Sequence, residues 1–488
     1  MDSRHSPSPH PSPVKGEGER HPARRFLRTA SLFLVLVGGL ALVPALAGAA
    51  EVQDDLLADA RHAMARAAAF FTAISTNGGW AGIYSKDLAK RYGEAVYENA
   101  RRNEIWVQPP GTPTVGKTLL RAYRVTGEKR YLAAAQGAGR ALVWGQRTVG
   151  GWDHRVDVSH LTPDAAMPQR RKGRCTLDDN ITQGAIDFLM DLDRTRDEPW
   201  LDDGVRLGLA YLLKAQFDNG AWPQWYPLRG GYHDYYTFND NTINDCIRVL
   251  LDAHRQYGRA EYLEGAKRGG DFIIASQLDE PQAGWAQQYS HDLTPAWARA
   301  FEPPGVCSAV TARNIRTLID LAVYTRDARY LEPLPAALVW LDRSKLKKGT
   351  WARLYELGTN RPIYGDRDRK IHYTREEVSK ERRTGYSWQG DYGVARARRL
   401  YEQVREIGLD AYADRQEAAH TRTPSPASLA KRGPSLAPRA RRAIGALDAE
   451  GRWIDDDGRI RCETFVRNMR TLCDYVEAAE AGKALKQR

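Results

Sequence analysis

Tryptophan returns along the chain at near-constant intervals. Gly-Trp and Gly-x-Trp turns place Trp80, Trp152, Trp222, Trp285 and Trp351 at separations of 72, 70, 63 and 66 residues. Between these turns a second element recurs, a short turn followed by an aromatic-Leu pair, with its aromatic at Tyr131, Trp200, Tyr262 and Tyr330. Apolar residues in the flanking segments fall at helical spacing, as in Ile186, Leu189, Met190 and Leu192, or Ile243, Ile247, Leu250 and Leu251. Each unit therefore reads as helix, turn, helix and Trp-bearing loop. One such unit cannot bury its own apolar face, so the units must stack, and a period of roughly 60 to 70 residues fits helical hairpins closed into a ring, an all-α fold of the α/α toroid kind. Stretches of β alternation are few and short, so strands are expected only in the loops. The longer loops gather on one face of the ring, where a groove can form.

The flanks read differently. Residues 1–50 combine Arg24, Arg25 and Arg28 with an apolar stretch from Leu32 to Leu46 and small residues from Ala47 to Ala50, an export signal with cleavage near Ala49 or Ala50. Gly38, Gly39 and Pro44 interrupt the apolar stretch, which favours cleavage over a retained anchor, and a secreted or periplasmic protein is expected. The toroid is expected over 51–417, a flexible Pro/Ser/Arg-rich insert over 418–442, and over 443–488 a Trp-bearing loop and a last helix packing back on the ring. Five scattered cysteines are too few for a disulfide framework; at most Cys462 and Cys473 pair, and buried thiols are the simpler expectation.

The whole chain carries a net charge of +11, and losing the six basic and three acidic residues of 1–50 leaves it at +8. For an exported chain that excess points to an extracellular polyanion such as an acidic polysaccharide, or simply to solubility, rather than to nucleic acid. The 13 Trp and 23 Tyr against 10 Phe weight the aromatics toward those with a polar handle, which suits a sugar-binding cleft, although buried Trp and Tyr with a satisfied N–H or O–H are the commoner use.

Two helix starts carry matching acid-amide runs: Asp178, Asp179 and Asn180 in CTLDDN, and Asn239, Asp240 and Asn241 in YTFNDN. Helix capping explains one such residue at each start, not three. Oxygen ligands from two separate elements favour a hard cation, Ca²⁺ before Mg²⁺, and without HExxH, EF-hand or Cys-His spacing zinc is disfavoured. NGAWPQWYP and GWAQQY set Trp222 with Gln224 and Trp285 with Gln287, a pairing that suits either a sugar face or interhelical packing. Arg299 stands between Trp297 and Phe301 with Glu302 close by, the setting of a salt-bridged strut. Arg353, Arg361, Arg367, Arg382 and Arg383 alternate with Tyr355, Tyr364, Tyr386 and Trp388, and guanidinium forks bind carboxylates in two-point fashion.

The ordered segments CTLDDN, GAWPQWYP, YTFNDN, GWAQQY, PAWARAFEPP, YELGTNRPIYGDRD, ERRTGY and the late GRW resemble the family 10 pectate lyases, from about Gly78 to the C-terminus. The resemblance implies an α/α toroid that cleaves α-1,4-polygalacturonate by Ca²⁺-dependent β-elimination and leaves a 4,5-unsaturated sugar. It implies Asp179 and Asp240 as calcium ligands and Arg299 as the base that takes the C5 proton. Substrate contacts are implied for Asn180, Trp222, Gln224, Asn239, Gln287, Arg353, Arg361, Arg367 and Tyr386. The chain departs from the family pattern at Gln183, at Ser308 to Thr311, where an acid is expected, and at Gln389, where an aromatic is expected. Burial and a nearby cation are expected to lower the Arg299 pKa toward that of a usable base. A monomer with no membrane or nucleic-acid partner is expected. Two other readings remain: a glycoside hydrolase using Asp179 and Asp240 as its carboxylate pair, and a polysaccharide-binding ring that does not catalyse.

Overall fold

A computed structural model describes residues 43–161 and 170–487, with side chains from residue 55 onward. The expected export signal lies outside the described residues as far as position 42 and overlaps the first turns of α1 beyond it. The helices are α1 (Val43–Ile74), α2 (Thr112–Thr126), α3 (Lys129–Gly145), α4 (Ile181–Asp193), α5 (Pro199–Ala215), α6 (Thr242–Tyr257), α7 (Ala260–Ala275) and α8 (Ser308–Thr325). They continue with α9 (Leu334–Arg343), α10 (Lys380–Gly385), α11 (Val394–Ile407), α12 (Leu409–Thr421), α13 (Pro426–Ala430), α14 (Gly433–Gly445) and α15 (Cys462–Lys486). Local chemistry sets several of the ends. Pro113 fits the first turn of α2, where an N–H has no partner to lose, and Gly127 and Gly258 close α2 and α6 in the left-handed conformation.

The fold is the expected α/α toroid. Inner helices neighbour one another in the order α15, α2, α4, α6, α8, α11, so the last helix lies beside the first complete hairpin. Outer helices α3, α5 and α7 pair with α2, α4 and α6, and α1 covers α15, with Phe71 and Phe465 stacked 3.8 Å apart. The apolar core is continuous from Leu56 to Ala479.

Each outer helix ends on a tryptophan. The indole N–H groups of Trp80, Trp152, Trp222, Trp285 and Trp351 donate to the carbonyls of Phe71, Leu142, Leu212, Ile273 and Leu341 at 2.6 to 2.8 Å. Trp453 makes the same bond to Ala443 at 2.8 Å, so there are six such units. A helix C-terminus leaves carbonyls without intrahelical partners, and the buried indole satisfies one of them. Gly220, with φ +92°, makes the turn ahead of Trp222, and a Cβ there would lie 2.0 Å from the Arg268 carbonyl.

The segment 418–442 is not a loose excursion. α12 runs to Thr421, α13 and α14 follow, and α14 packs on α1 and α15 through buried Gly433, Ala440 and Ala443. Its small residues leave room for close helix contact, Pro426 and Pro434 stand in first turns, where they are tolerated, and Pro438 lies inside α14, so Pro, Ser and Arg content alone did not decide the local structure. All five cysteines are buried free thiols. Among the described residues, no helix is long and apolar enough to cross a membrane.

Candidate active site

Short antiparallel strands tie the loop of each unit to that of the next. Cys175 pairs with Tyr226 and Thr176 with Trp225; one unit on, Tyr236 pairs with Tyr289 and Thr237 with Gln288. This register sets the starts of α4 and α6 side by side. Thr242 Oγ1 donates to the Leu177 carbonyl at 3.1 Å, and Gln183 Nε2 donates to the Leu177 carbonyl at 2.8 Å and to the Thr242 carbonyl at 3.4 Å, so Gln183 helps to lock the two units together.

Neither helix start is an ordinary cap. Asp179 and Asn180 have φ of 48° and 57°, Asp240 and Asn241 have φ of 47° and 63°, and none of these side chains makes a capping bond. Two successive left-handed residues are costly for L-amino acids, and Asp and Asn bear that cost best. The kink turns the carboxylates away from their own helices and toward each other. One oxygen from each of Asp178, Asp179 and Asp240 lies within 4.8 Å of the others.

Burial first, and then the charges of Asp179 and Asp240, push the Asp178 carboxyl well above the usual range; burial, Asp240 and Glu94 do the same to Asp179. Asp178 Oδ1 and Asn180 Oδ1 are buried without a hydrogen-bond partner among the described residues. Gln108 Nε2 donates to Asp179 at 3.0 Å and Asn239 Nδ2 to Asp240 at 2.9 Å. Crowded carboxylates with oxygens left over are an unfavourable arrangement that a hard dication would relieve, so this oxygen-only set fits such an ion.

Arg299 stands beside the cluster, its Nη2 3.5 Å from Asp240, with 12 % of its side chain exposed. Glu302 grips it at two points, Oε2 to Nε and Oε1 to Nη2, both 2.7 Å. Burial would raise the Glu302 carboxyl, but the Arg299 charge and hydrogen bonds, with help from Arg353 and Tyr386, hold it at about 2. Burial would lower Arg299, yet Glu302 and Asp240 outweigh it and hold the guanidinium well above its ordinary value. The expected lowering is thus absent, because the acids that position the group also stabilise its charge.

The neighbouring residues form one network. Tyr386 Oη donates to Glu302 at 2.8 Å, Arg353 lies 4.6 Å over the Tyr386 ring, and Gln287 links Arg353 at 3.4 Å to Asn239 at 2.9 Å. Asp179, Asn239, Asp240, Gln287, Arg299, Arg353 and Tyr386 therefore come together, and Asn180 follows Asp179 in the chain with its Oδ1 buried. Four other expected residues do not share this network. Trp222 is 0 % exposed and belongs to the series of helix-end tryptophans, so it offers no face to a sugar. Gln224 is buried, and its carbonyl accepts from the Leu177 N–H at 2.8 Å, bridging two loops. Arg361 stacks over Tyr373 at 4.0 Å at the turn of a hairpin, and Arg367 pairs at two points with Glu381 at 2.9 Å.

Asp178, Glu302 and Gln108 complete the site. Asp178 stands in the acid run and Glu302 three residues after Arg299, so both had a local signal. Gln108 had none, because its unit lacks the acid-amide run.

A family model described as pectic acid lyase matches residues 146–350 and 345–395, together just over half of the chain. Among solved structures, the family 10 polysaccharide lyase of Cellvibrio cellulosa is 24% identical, over 61% of this chain and 97% of that one, with a TM-score of 0.48. An alanine mutant of that lyase, in complex with trigalacturonic acid, is 23% identical over 60% and 98% of the two chains, also with a TM-score of 0.48. Cellobiose 2-epimerase of Bacillus thermoamylovorans is 14% identical over 83% and 93%, with a TM-score of 0.44. No curated protein sequence matches the chain.

Proposed function

The chain belongs to the family 10 pectate lyases and is a polysaccharide lyase, and on that premise we propose that it cleaves α-1,4-polygalacturonate outside the cytoplasm by Ca²⁺-dependent β-elimination. One observation carries the reading: Asp178, Asp179 and Asp240 converge within 4.8 Å, and Arg299 stands 3.5 Å from Asp240. Asp179 and Asp240, joined by Asp178, would hold the ion. Bound there, Ca²⁺ would supply positive charge to neutralise the uronate carboxylate and to offset the Asp240 charge facing Arg299.

Arg299 is the proposed base for the proton on C5. Its two-point contact with Glu302 orients the guanidinium, and Tyr386 and Arg353 brace Glu302 and keep water from it. The electron pair left on C5 forms the C4–C5 double bond while the bond from C4 to the glycosidic oxygen breaks. That oxygen takes a proton from water and becomes the new hydroxyl, and the hydroxide left behind takes up the proton carried by Arg299. Because Glu302 and Asp240 hold Arg299 protonated, only a small neutral fraction can accept the proton, and that fraction grows about tenfold per pH unit below the Arg299 pKa. Activity should therefore climb steadily from neutral into alkaline pH; a rate that is flat over this range would remove Arg299 as the base. Arg299→Lys, which cannot keep both contacts to Glu302, should lose at least about a hundredfold in kcat.

The direct test is release of near-ultraviolet absorbance from polygalacturonate with calcium and then with chelator. Cleavage without that absorbance would mean hydrolysis, and calcium-stimulated binding without cleavage would mean a binding ring.

A further inference from the structure

Within reach of the charges of Asp178 and Arg299 lies a four-layer stack that the elimination itself does not use. The Arg174 guanidinium carbon lies 3.3 Å from the centroid of the Trp225 ring. Trp225 stacks on His233 at 3.7 Å with 10° between planes, and His233 on Tyr232 at 3.8 Å with 30°. The inner end of the stack is anchored. Gln288 Nε2 donates to the Tyr232 carbonyl, and the charges of Arg299, Glu302 and Asp178 reach the Tyr232 hydroxyl, which burial pushes up to about 12. The stack thus leads from the reacting centre out to Arg174.

At its outer end sit two guanidiniums that make no side-chain hydrogen bond or ion pair among the described residues. Arg174 has no carboxylate within ion-pair distance and no hydrogen-bond acceptor among the described residues; Asp153, the acid whose charge acts on it, is engaged by His154 at 2.9 Å. Arg229 is exposed, is likewise without a side-chain partner among the described residues, and lies close enough for its charge to act on Arg174. Asp234 holds its loop in place by accepting from the Arg229 and Gly230 N–H groups at 2.8 and 2.5 Å. Stacking on an indole uses the face of a guanidinium and leaves the in-plane N–H fork free, and it orders the side chain before any ligand arrives. Two neighbouring like charges, one of them already ordered, fit an anion placed between them.

We propose that Arg174 and Arg229 form a carboxylate-binding subsite that holds a uronate unit of the polysaccharide away from the bond being cleaved, with Trp225, His233 and Tyr232 as its rigid support. The inference rests on the pectate lyase reading and extends it to residues outside the acid and Arg299 network.

Calorimetric binding of digalacturonate and hexagalacturonate, by the full-length protein and by Arg174→Ala, Arg229→Ala and the double variant, tests it apart from catalysis. Hexagalacturonate should bind roughly ten- to a hundredfold more weakly to the double variant, while digalacturonate, held at the reacting centre, should bind unchanged. On polygalacturonate, KM should rise with kcat retained, and Arg174→Lys should recover only part of the loss because an ammonium lacks the fork. Equal hexagalacturonate affinity in wild type and double variant overturns the subsite, as does an equal loss for both ligands, which would be a general charge effect. If the wild type binds hexagalacturonate but forms no unsaturated product, the lyase reading fails and the binding comparison still decides the subsite. If the wild type binds no hexagalacturonate, the subsite is overturned with it.

Discussion

At the scale of single residues, Asp178 sits in unfavourable electrostatics. Burial and two neighbouring carboxylates raise its carboxyl, so the native state binds that proton more readily than the unfolded chain does. Its contribution to stability therefore improves on acidification from neutral toward the ordinary carboxylate range near 4. Glu302 works the other way: its contribution is present above the unfolded value of 4.5 and is lost only as pH falls toward about 2, so it does not change between pH 7 and pH 5. In chelator, the wild type should melt at a higher temperature at pH 5 than at pH 7, and Asp178→Asn should raise the pH 7 value and flatten the difference. Calorimetric melts check this, and identical pH trends in the two proteins would contradict it. Calcium should stabilise the wild type at pH 7 more than the variant. The acid runs were legible as residues and their strained backbone was not, because a left-handed pair at a helix start is imposed by the strands that hold the loops.

At the scale of elements, the helix-end tryptophan is the repeated device. Its period is plain in the chain; its partner is not, since the accepting carbonyl lies nine to twelve residues earlier, at the end of the preceding helix. That is why Trp222 reads equally well as a sugar platform or a packing residue until the turn at Gly220 shows its direction. Trp222→Phe leaves the Leu212 carbonyl without its donor and should cost about 1 to 3 kcal/mol in urea unfolding, with kcat and KM of the folded enzyme unchanged. A raised KM with unaltered stability would restore the sugar-facing role. α14 teaches the same lesson from composition: its Pro and Ser residues suggest a linker, but the small residues at Gly433, Ala440 and Ala443 share one face and pack.

At the scale of the whole molecule, α15 lies between α1 and α2 and completes the core at the point where the two ends of the chain meet. Every residue of the candidate site precedes it in sequence. Ending the chain at Arg461 should nevertheless abolish cooperative unfolding and activity together, because the apolar faces of α1 and α2 would lose their cover. A truncated protein that kept a sharp calorimetric transition would show that the ring does not need its closing helix.

The sequence by itself determined the repeat, the helical hairpins, the two acid-amide runs and the Arg299 string, because each is written in short-range spacing that one helix or one turn can read. Only the tertiary structure decided that Asp178 and Asp179 meet Asp240 from the next unit. It also decided that Arg353 faces the network while Arg361 and Arg367 are engaged elsewhere, and that Trp222 is buried. Those relations join residues some sixty positions or more apart, or turn on the direction of one side chain. Pairings such as Cys175 with Tyr226 and Tyr236 with Tyr289, which stitch neighbouring loops together, create them, and no local pattern in the chain encodes them.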